Sequence, residues 1–174
     1  MIQSFDENAL LFIQEHLRFE PLTAVMRMFT RLGDAGIIWI ILGIALLCFG
    51  ATRRRGTVYL AALASTAVLN NLVLKPLIAR PRPYSVLESL VVLTDKLSSW
   101  SFPSGHASAS FAAATALTLL FPKKGAWSFI PAAMIALSRP YLGMHYLTDV
   151  LCGAALGAAC ALIAVKAARG TILK

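Results

Sequence analysis

The sequence predicts an all-α integral membrane bundle of about five transmembrane helices, preceded by an N-terminal interfacial amphipathic segment. Three observations predict it. Hydrophobic residues make up 58% of the 174, and the mean hydropathy is +0.72, whereas a soluble domain is roughly half apolar. Charged residues are only 14%, and they cluster between long apolar runs. Five of those runs approach the length of a bilayer-spanning helix, about 20 residues. The length suits one membrane-embedded domain, residues 33–170, behind an N-terminal segment, residues 1–32.

Within residues 1–32, Leu10, Leu11, Ile13 and Leu17, then Leu22, Val25, Met26 and Phe29, recur at helical spacing. Glu15, Arg18, Glu20, Arg27 and Arg31 interrupt the apolar character too often for a span. Two short helices meeting at Pro21 and lying in the membrane interface are expected. The first apolar segment is residues 35–51, with Asp34 as its N-cap. The second is residues 56–74, and the third is residues 103–121. The fourth, residues 126–137, is short unless it continues through Ser138 and Arg139, whose polar groups must then be buried in protein. The fifth is residues 146–168. In it Gly153 and Gly157, four apart and surrounded by Ala154, Ala155 and Ala158, predict close helix packing. Residues 80–102, rich in Pro and Ser, form the longest loop, and no internal repeat is evident.

Charge sets the orientation. Arg53, Arg54, Arg55, Lys123, Lys124, Lys166, Arg169 and Lys174 fall on one side of the membrane, without an acidic residue among them. All eight acidic residues fall toward the other. By the positive-inside rule the basic side is cytoplasmic, and the net charge of +8 reports topology rather than nucleic-acid binding. The first ten residues carry Asp6 and Glu7 rather than a basic region, so no cleavable signal is expected. Cys48, Cys152 and Cys160 lie inside apolar runs without metal-ligand spacing and read as small apolar filler. Trp100 and Trp127 fall at span ends, as aromatic belts do.

Three polar groups converge on the outward side, where burying them calls for explanation. The first is Lys75, Arg80 and Arg82, interleaved with Pro76, Pro81 and Pro83. The prolines should make the chain leave the second helix near Lys75 and run extended. Taken alone, these cations could simply snorkel from a helix end. The second is Pro103-Ser104-Gly105-His106 at the start of the third helix, with Ser101 available as a cap. The free N–H groups of a helix start make an anion site, and Gly105 admits a ligand to the backbone. A lone His106 there would more often be structural. The third is Ser138-Arg139 followed by His145 and Asp149. A spacing of four puts His145 and Asp149 on one helix face, so the carboxylate can hold one ring nitrogen and free the other to attack. By itself the pair could also be a buried ion pair tying helices together. The set lacks the carboxylate cluster of a magnesium site, and only two histidines converge, with His16 far off, so neither a metal nor another cofactor is expected. A cation-rich pocket with a carboxylate-backed histidine suits phosphoryl transfer.

These groups resemble the three-part signature of the type 2 phosphatidic acid phosphatase superfamily. Lys75, six residues, then Arg82-Pro83 matches the first part; Pro103 to His106 matches the second; Ser138-Arg139, His145 and Asp149 match the third. The triple match is highly specific and reaches over residues 33–165, with Pro140 a mild departure. The resemblance implies that His145 attacks phosphorus and becomes a phosphohistidine, that Asp149 supports it, and that His106 protonates the leaving oxygen. It implies further that Lys75, Arg82 and Arg139 hold the phosphate oxygens, with Ser104 and Gly105 assisting. Asn70, Asn71, Arg80 and Tyr141 stand outside the signature; Asn71, four before Lys75, could be second to the site or could serve helix packing.

An outward-facing site at the end of an apolar bundle fits a lipid phosphate or pyrophosphate with its tail in the bilayer. The family implies undecaprenyl pyrophosphate, phosphatidylglycerophosphate or phosphatidic acid, with the first favoured. A transporter would more often show inverted repeats and a midplane site. Kinship of the superfamily with vanadium-dependent haloperoxidases raises a further reading, but those enzymes are soluble.

Overall fold

A computed structural model describes residues 2–172. Among the described residues every regular element is helical. The N-terminal segment forms α1 (Ile2–His16) and α2 (Glu20–Leu32). Pro21 stands in the first turn of α2, where its missing N–H removes no helical bond. The two helices pack on the rest of the bundle. Leu10 packs on Leu90 and Tyr146, Met26 packs on Tyr141, Leu142 and Met144, and Asp6 is completely buried.

The next helix, α3 (Ile37–Cys48), follows a tight turn over Asp34–Gly36. Asp34 is not its N-cap, contrary to the sequence expectation; Gly36 is. Ala35 and Gly36 take left-handed φ of 50° and 68°, which separates the Asp34 side chain from the first turn of α3 and leaves it to pair elsewhere. α4 (Arg53–Val68) passes through a π-helical turn (Leu69–Leu74) into α5 (Lys75–Ile78). The chain therefore does not become extended at Lys75. Pro76 sits in the first turn of α5, just past the π turn, where it breaks no bond. The helix ends instead at Ala79, in the left-handed region.

After the loop come α6 (Gly105–Leu120), α7 (Phe129–Tyr141), α8 (Leu147–Ala167) and the short α9 (Arg169–Ile172). The cap of α6 is Ser104, not Ser101. α7 does continue through Ser138 and Arg139, and both are buried in protein.

The centre of the bundle is α6. Ala107, Ala112, Ala113, Ala114 and Ala116 are completely buried, and these small side chains let α4, α7 and α8 close around it. The glycine pair in α8 performs the closest approach. A Cβ at Gly153 would lie 2.6 Å from the Ser104 carbonyl oxygen, and one at Gly157 would lie 2.0 Å from that of Ser108. Within the bundle Tyr59 donates to the Trp39 carbonyl (3.1 Å) and Trp39 Nε1 donates to Ser110 (2.9 Å), which satisfies these buried polar groups inside the protein.

Outside, Ile40, Ile41, Ile44, Leu72, Leu77, Ile130, Leu151 and Ile163 are exposed. So wide an apolar surface suits lipid, not water. Two helical stretches, Arg53–Ser85 and Leu147–Ala167, are long and apolar enough to cross a membrane, and the pair Glu20–Leu32 and Asp34–Cys48, bent by 45°, makes a third if taken together. α6 and α7 are shorter, at 16 and 13 residues. The basic residues gather at one end, where Arg55, Lys123 and Lys124 line a common cleft; Lys174 lies outside the described residues. The three polar groups gather at the other.

Candidate active site

A cavity of about 240 Å³ opens where α5 begins, α6 begins, α7 ends and α8 begins. Lys75, Arg82, Gly105, His106, Arg139 and His145 all line it, with Asn71 beside them. Ser104 and Asp149 do not reach it. Ser104 is completely buried, and its hydroxyl accepts from Ala107 N (3.5 Å), holding the start of α6. Asp149, also completely buried, lies behind His145. The backbone ties the two: Ser104 N donates to the Asp149 carbonyl (3.0 Å), across the space Gly153 leaves.

His145 sits in the turn between α7 and α8 and is 2% exposed. Arg82 Nη1 lies 3.3 Å from its Nε2. A guanidinium can only donate, so Nε2 is the bare nitrogen and the proton is on Nδ1. Nδ1 faces Ser101 Oγ at 3.4 Å and Asp149 Oδ2 at 3.5 Å, both long contacts. Burial pushes His145 down to about 3; the Arg139 and Arg82 cations add to this and Asp149 opposes it. The imidazole is therefore neutral around pH 7, with its Nε2 lone pair toward Arg82, which lines the cavity beside it.

Both arginines are tied to neighbouring groups. Arg82 donates to the carbonyls of Ser99 (2.6 Å) and Met144 (2.9 Å) and to the Ser99 hydroxyl (3.0 Å). Arg139 donates from Nη1 to the Thr30 hydroxyl, and its Nε is buried with no partner among the described residues. Such an orphan donor beside a cavity invites an acceptor. His106 Nε2 lies 3.1 Å from both the Thr30 carbonyl and Asp34 Oδ1. The carbonyl only accepts, so Nε2 carries hydrogen and Nδ1 is the nitrogen left for other chemistry.

Several partners lie outside the sequence expectation. Asp34 pairs with His106 rather than capping α3, and Ser101 donates to Asp149 Oδ2 (2.5 Å) rather than capping α6. Arg80 bridges Asp149 and Asp6. These contacts join residues 48 to 74 positions apart in the chain, so no local spacing announces them. Tyr141 is engaged away from the cavity, with its hydroxyl 2.9 Å from that of Thr23.

The fold and site together define a helical membrane protein in which three cations and a neutral histidine line one cavity. Residues 55–171 match the PAP2 superfamily, and the chain belongs to that family, a family of phosphatases. It is 32% identical over 133 residues to an undecaprenyl-diphosphatase of Sulfolobus acidocaldarius, covering 74% of this chain and 63% of that one. The chain thus spans just under two thirds of that relative's length. It is 36% identical over 140 residues to a decaprenylphosphoryl-5-phosphoribose phosphatase of Mycobacterium tuberculosis, covering 78% and 74%. The crystal structure of LpxE from Aquifex aeolicus superposes with a TM-score of 0.79 at 30% identity, covering 91% of this chain and 93% of that one. The transmembrane PAP2 type phosphatidylglycerolphosphate phosphatase of Bacillus subtilis superposes at 0.77 and 28% identity, covering 97% and 87%.

Proposed function

We propose that this protein is a membrane lipid phosphatase that cleaves a lipid phosphate or pyrophosphate through a phosphohistidine on His145, without a metal. One observation carries the reading: a buried, neutral His145, its unprotonated Nε2 turned to Arg82, lines one cavity with Lys75, Arg82 and Arg139. In the first step Nε2 attacks phosphorus, the N–P bond forms and the bond to the leaving oxygen breaks. His106, entering as the imidazolium with Nε2–H held by Thr30 and Asp34, gives that oxygen the proton on Nδ1 and is left neutral. Water then attacks phosphorus, His106 takes its proton, the N–P bond breaks and phosphate leaves with His145 restored. The three cations stabilise charge on the equatorial oxygens, aided by the N–H groups at the start of α6. Asp149 and Ser101 keep the proton on Nδ1. Ser104 supports the phosphate site through its hold on the start of α6.

A second, apolar cavity of about 290 Å³, lined by Ile40, Leu60, Leu63 and Ala64, shares Ala35, Gly36, Ala67 and Ala109 with the first. A phosphate in one and a hydrocarbon tail in the other is the arrangement a lipid substrate needs. Two relatives are named for polyprenyl substrates, which favours undecaprenyl pyrophosphate. The Bacillus subtilis neighbour favours phosphatidylglycerophosphate as the second reading, and phosphatidic acid is the third. The basic helix ends opposite the site support an extracytoplasmic active site in a multi-pass cell-membrane protein of five spans, the short α6 and α7 among them.

The test is phosphate release by detergent-purified protein, with chelator present, from undecaprenyl pyrophosphate, phosphatidylglycerophosphate and phosphatidic acid. Release that survives chelator and vanishes in His145→Ala is expected, and the ranking of rates names the substrate. Release that persists in His145→Ala, or that chelator abolishes, would overturn the mechanism.

A further inference from the structure

The first helix reaches the reaction centre through a carboxylate that no signature position includes. Asp6, on α1, is completely buried. Its Oδ1 accepts from Thr148 N (3.0 Å), the second residue of α8, and its Oδ2 accepts from the Thr148 hydroxyl and from Arg80 Nη2 (2.8 Å). Asp6 thus caps, from another helix, the turn of α8 that carries Asp149. Arg80 completes the link. Its Nη1 donates to Asp149 Oδ1 (2.7 Å) and to Thr148 Oγ1 (2.9 Å), while its Nη2 donates to Asp6 and to Gln3 (3.1 Å). The guanidinium lies 3.9 Å over the ring of Tyr146, which holds the fork in one plane.

We infer that Asp6 and Arg80 are positioning residues that fix Asp149, and through it the proton and orientation of His145. The physical case has two parts. Asp149 is gripped at both oxygens: Oδ1 by Arg80, and Oδ2 by Ser101 (2.5 Å) and Tyr146 N (3.0 Å). A carboxylate held at both ends does not turn, so His145 Nδ1 meets the same two oxygens, Ser101 Oγ and Asp149 Oδ2. In addition, Asp6 offsets the Arg80 cation. Were Arg80 answered by Asp149 alone, the carboxylate would be fully neutralised and would hold the Nδ1 proton less well. The charged groups facing His145 are then Asp149 on one side and Arg82 and Arg139 on the other, and this balance decides which ring nitrogen is bare. An ion pair kept at two completely buried carboxylates is costly to assemble and serves better to fix geometry than to stabilise.

The inference rests on the phosphatase reading above, and the experiment separates the two. The full chain is purified in detergent, and phosphate release from undecaprenyl pyrophosphate is measured beside the ¹⁵N spectrum of labelled histidine, of which there are three. Asp6→Asn is isosteric. Arg80→Lys keeps the charge but cannot fork between two carboxylates, and it supplies the readout if Asp6→Asn does not fold. In each, kcat should fall about 100-fold with KM within about twofold, as misplacement of a reacting group by an ångström does. The double variant should lose no more than the worse single, because both act on Asp149. The His145 signal should change from one Nδ1–H tautomer to a mixture. Wild-type rates within about threefold together with an unchanged His145 signal would overturn the inference. Absence of phosphate release from the wild type would count against the phosphatase reading alone, since the tautomer of His145 still decides whether Asp6 and Arg80 position it.

Discussion

Replacing Gly153 with alanine tests whether the α6–α8 contact sets the reaction geometry. The added Cβ would lie 2.6 Å from Ser104 O, 3.3 Å from Ser104 N and 3.3 Å from Ala107 Cβ. The first neighbour is backbone and cannot swing aside. Ordinary contact begins near 3.4 Å, so the helices must part locally by about 0.8 Å. The hydrogen bond from Ser104 N to the Asp149 carbonyl, 3.0 Å long, crosses that same gap and would stretch beyond hydrogen-bonding range. The start of α6, with Gly105 and His106, would move away from His145. Overpacking of this kind costs about 1–3 kcal/mol, and a shift near 1 Å at the reacting groups costs about 100-fold in rate. Purified Gly153→Ala should therefore melt earlier and release phosphate about 100-fold more slowly, with the loss in kcat. Gly50→Ala is the control, because a Cβ there meets nothing within 4 Å. A Gly153→Ala protein with control-like melting and rate would refute the argument that this contact positions the site.

Three further outcomes follow from the same geometry. His145 is held at about 3 in the fold against an ordinary 6.5, so as pH falls below 6.5 the unfolded chain binds this proton first. The stability concerned is intact above pH 6.5 and is lost on the way down toward 3, by a few kcal/mol in order of magnitude. Melting temperatures of wild type should drop between pH 7 and 4, and those of His145→Gln should drop less; parallel curves would refute it. His106→Ala should slow a monoester more than a pyrophosphate, whose phosphate leaving group needs the acid less, and Asp34→Asn should follow the same pattern more weakly through its 3.1 Å contact with His106. Equal losses on both substrates would count against His106 as the acid. Ala67→Leu, at the junction of the two cavities, should cut kcat/KM for a polyprenyl pyrophosphate by about tenfold or more while sparing a short water-soluble phosphate ester, since bulk in an apolar site discriminates by about 1–3 kcal/mol. Equal effects on both would remove that groove as the tail site.

The sequence by itself determined what is local or periodic. Apolar runs, interrupted by clustered charge, announce a lipid-facing helical bundle because each spanning helix must satisfy its own backbone in hydrocarbon. The spacing of Gly153 and Gly157 announces a close helix contact, and the three polar groups bring Lys75, Arg82, Gly105, His106, Arg139 and His145 to one cavity, since each lies at a helix end and all those ends face the same way. Only the tertiary structure decided which charged groups answer one another. Asp34 looks like a cap because it precedes an apolar run, yet the left-handed turn at Ala35 and Gly36 turns it to His106. Ser101 looks like another cap, yet the loop lays it on Asp149. Arg80 looks like a snorkelling cation, yet Asp6, 74 residues earlier, is buried against it. Such pairings depend on how α1 and α2 fold back over the ends of α7 and α8. That is a matter of which surfaces are complementary in space, and no spacing along the chain encodes it.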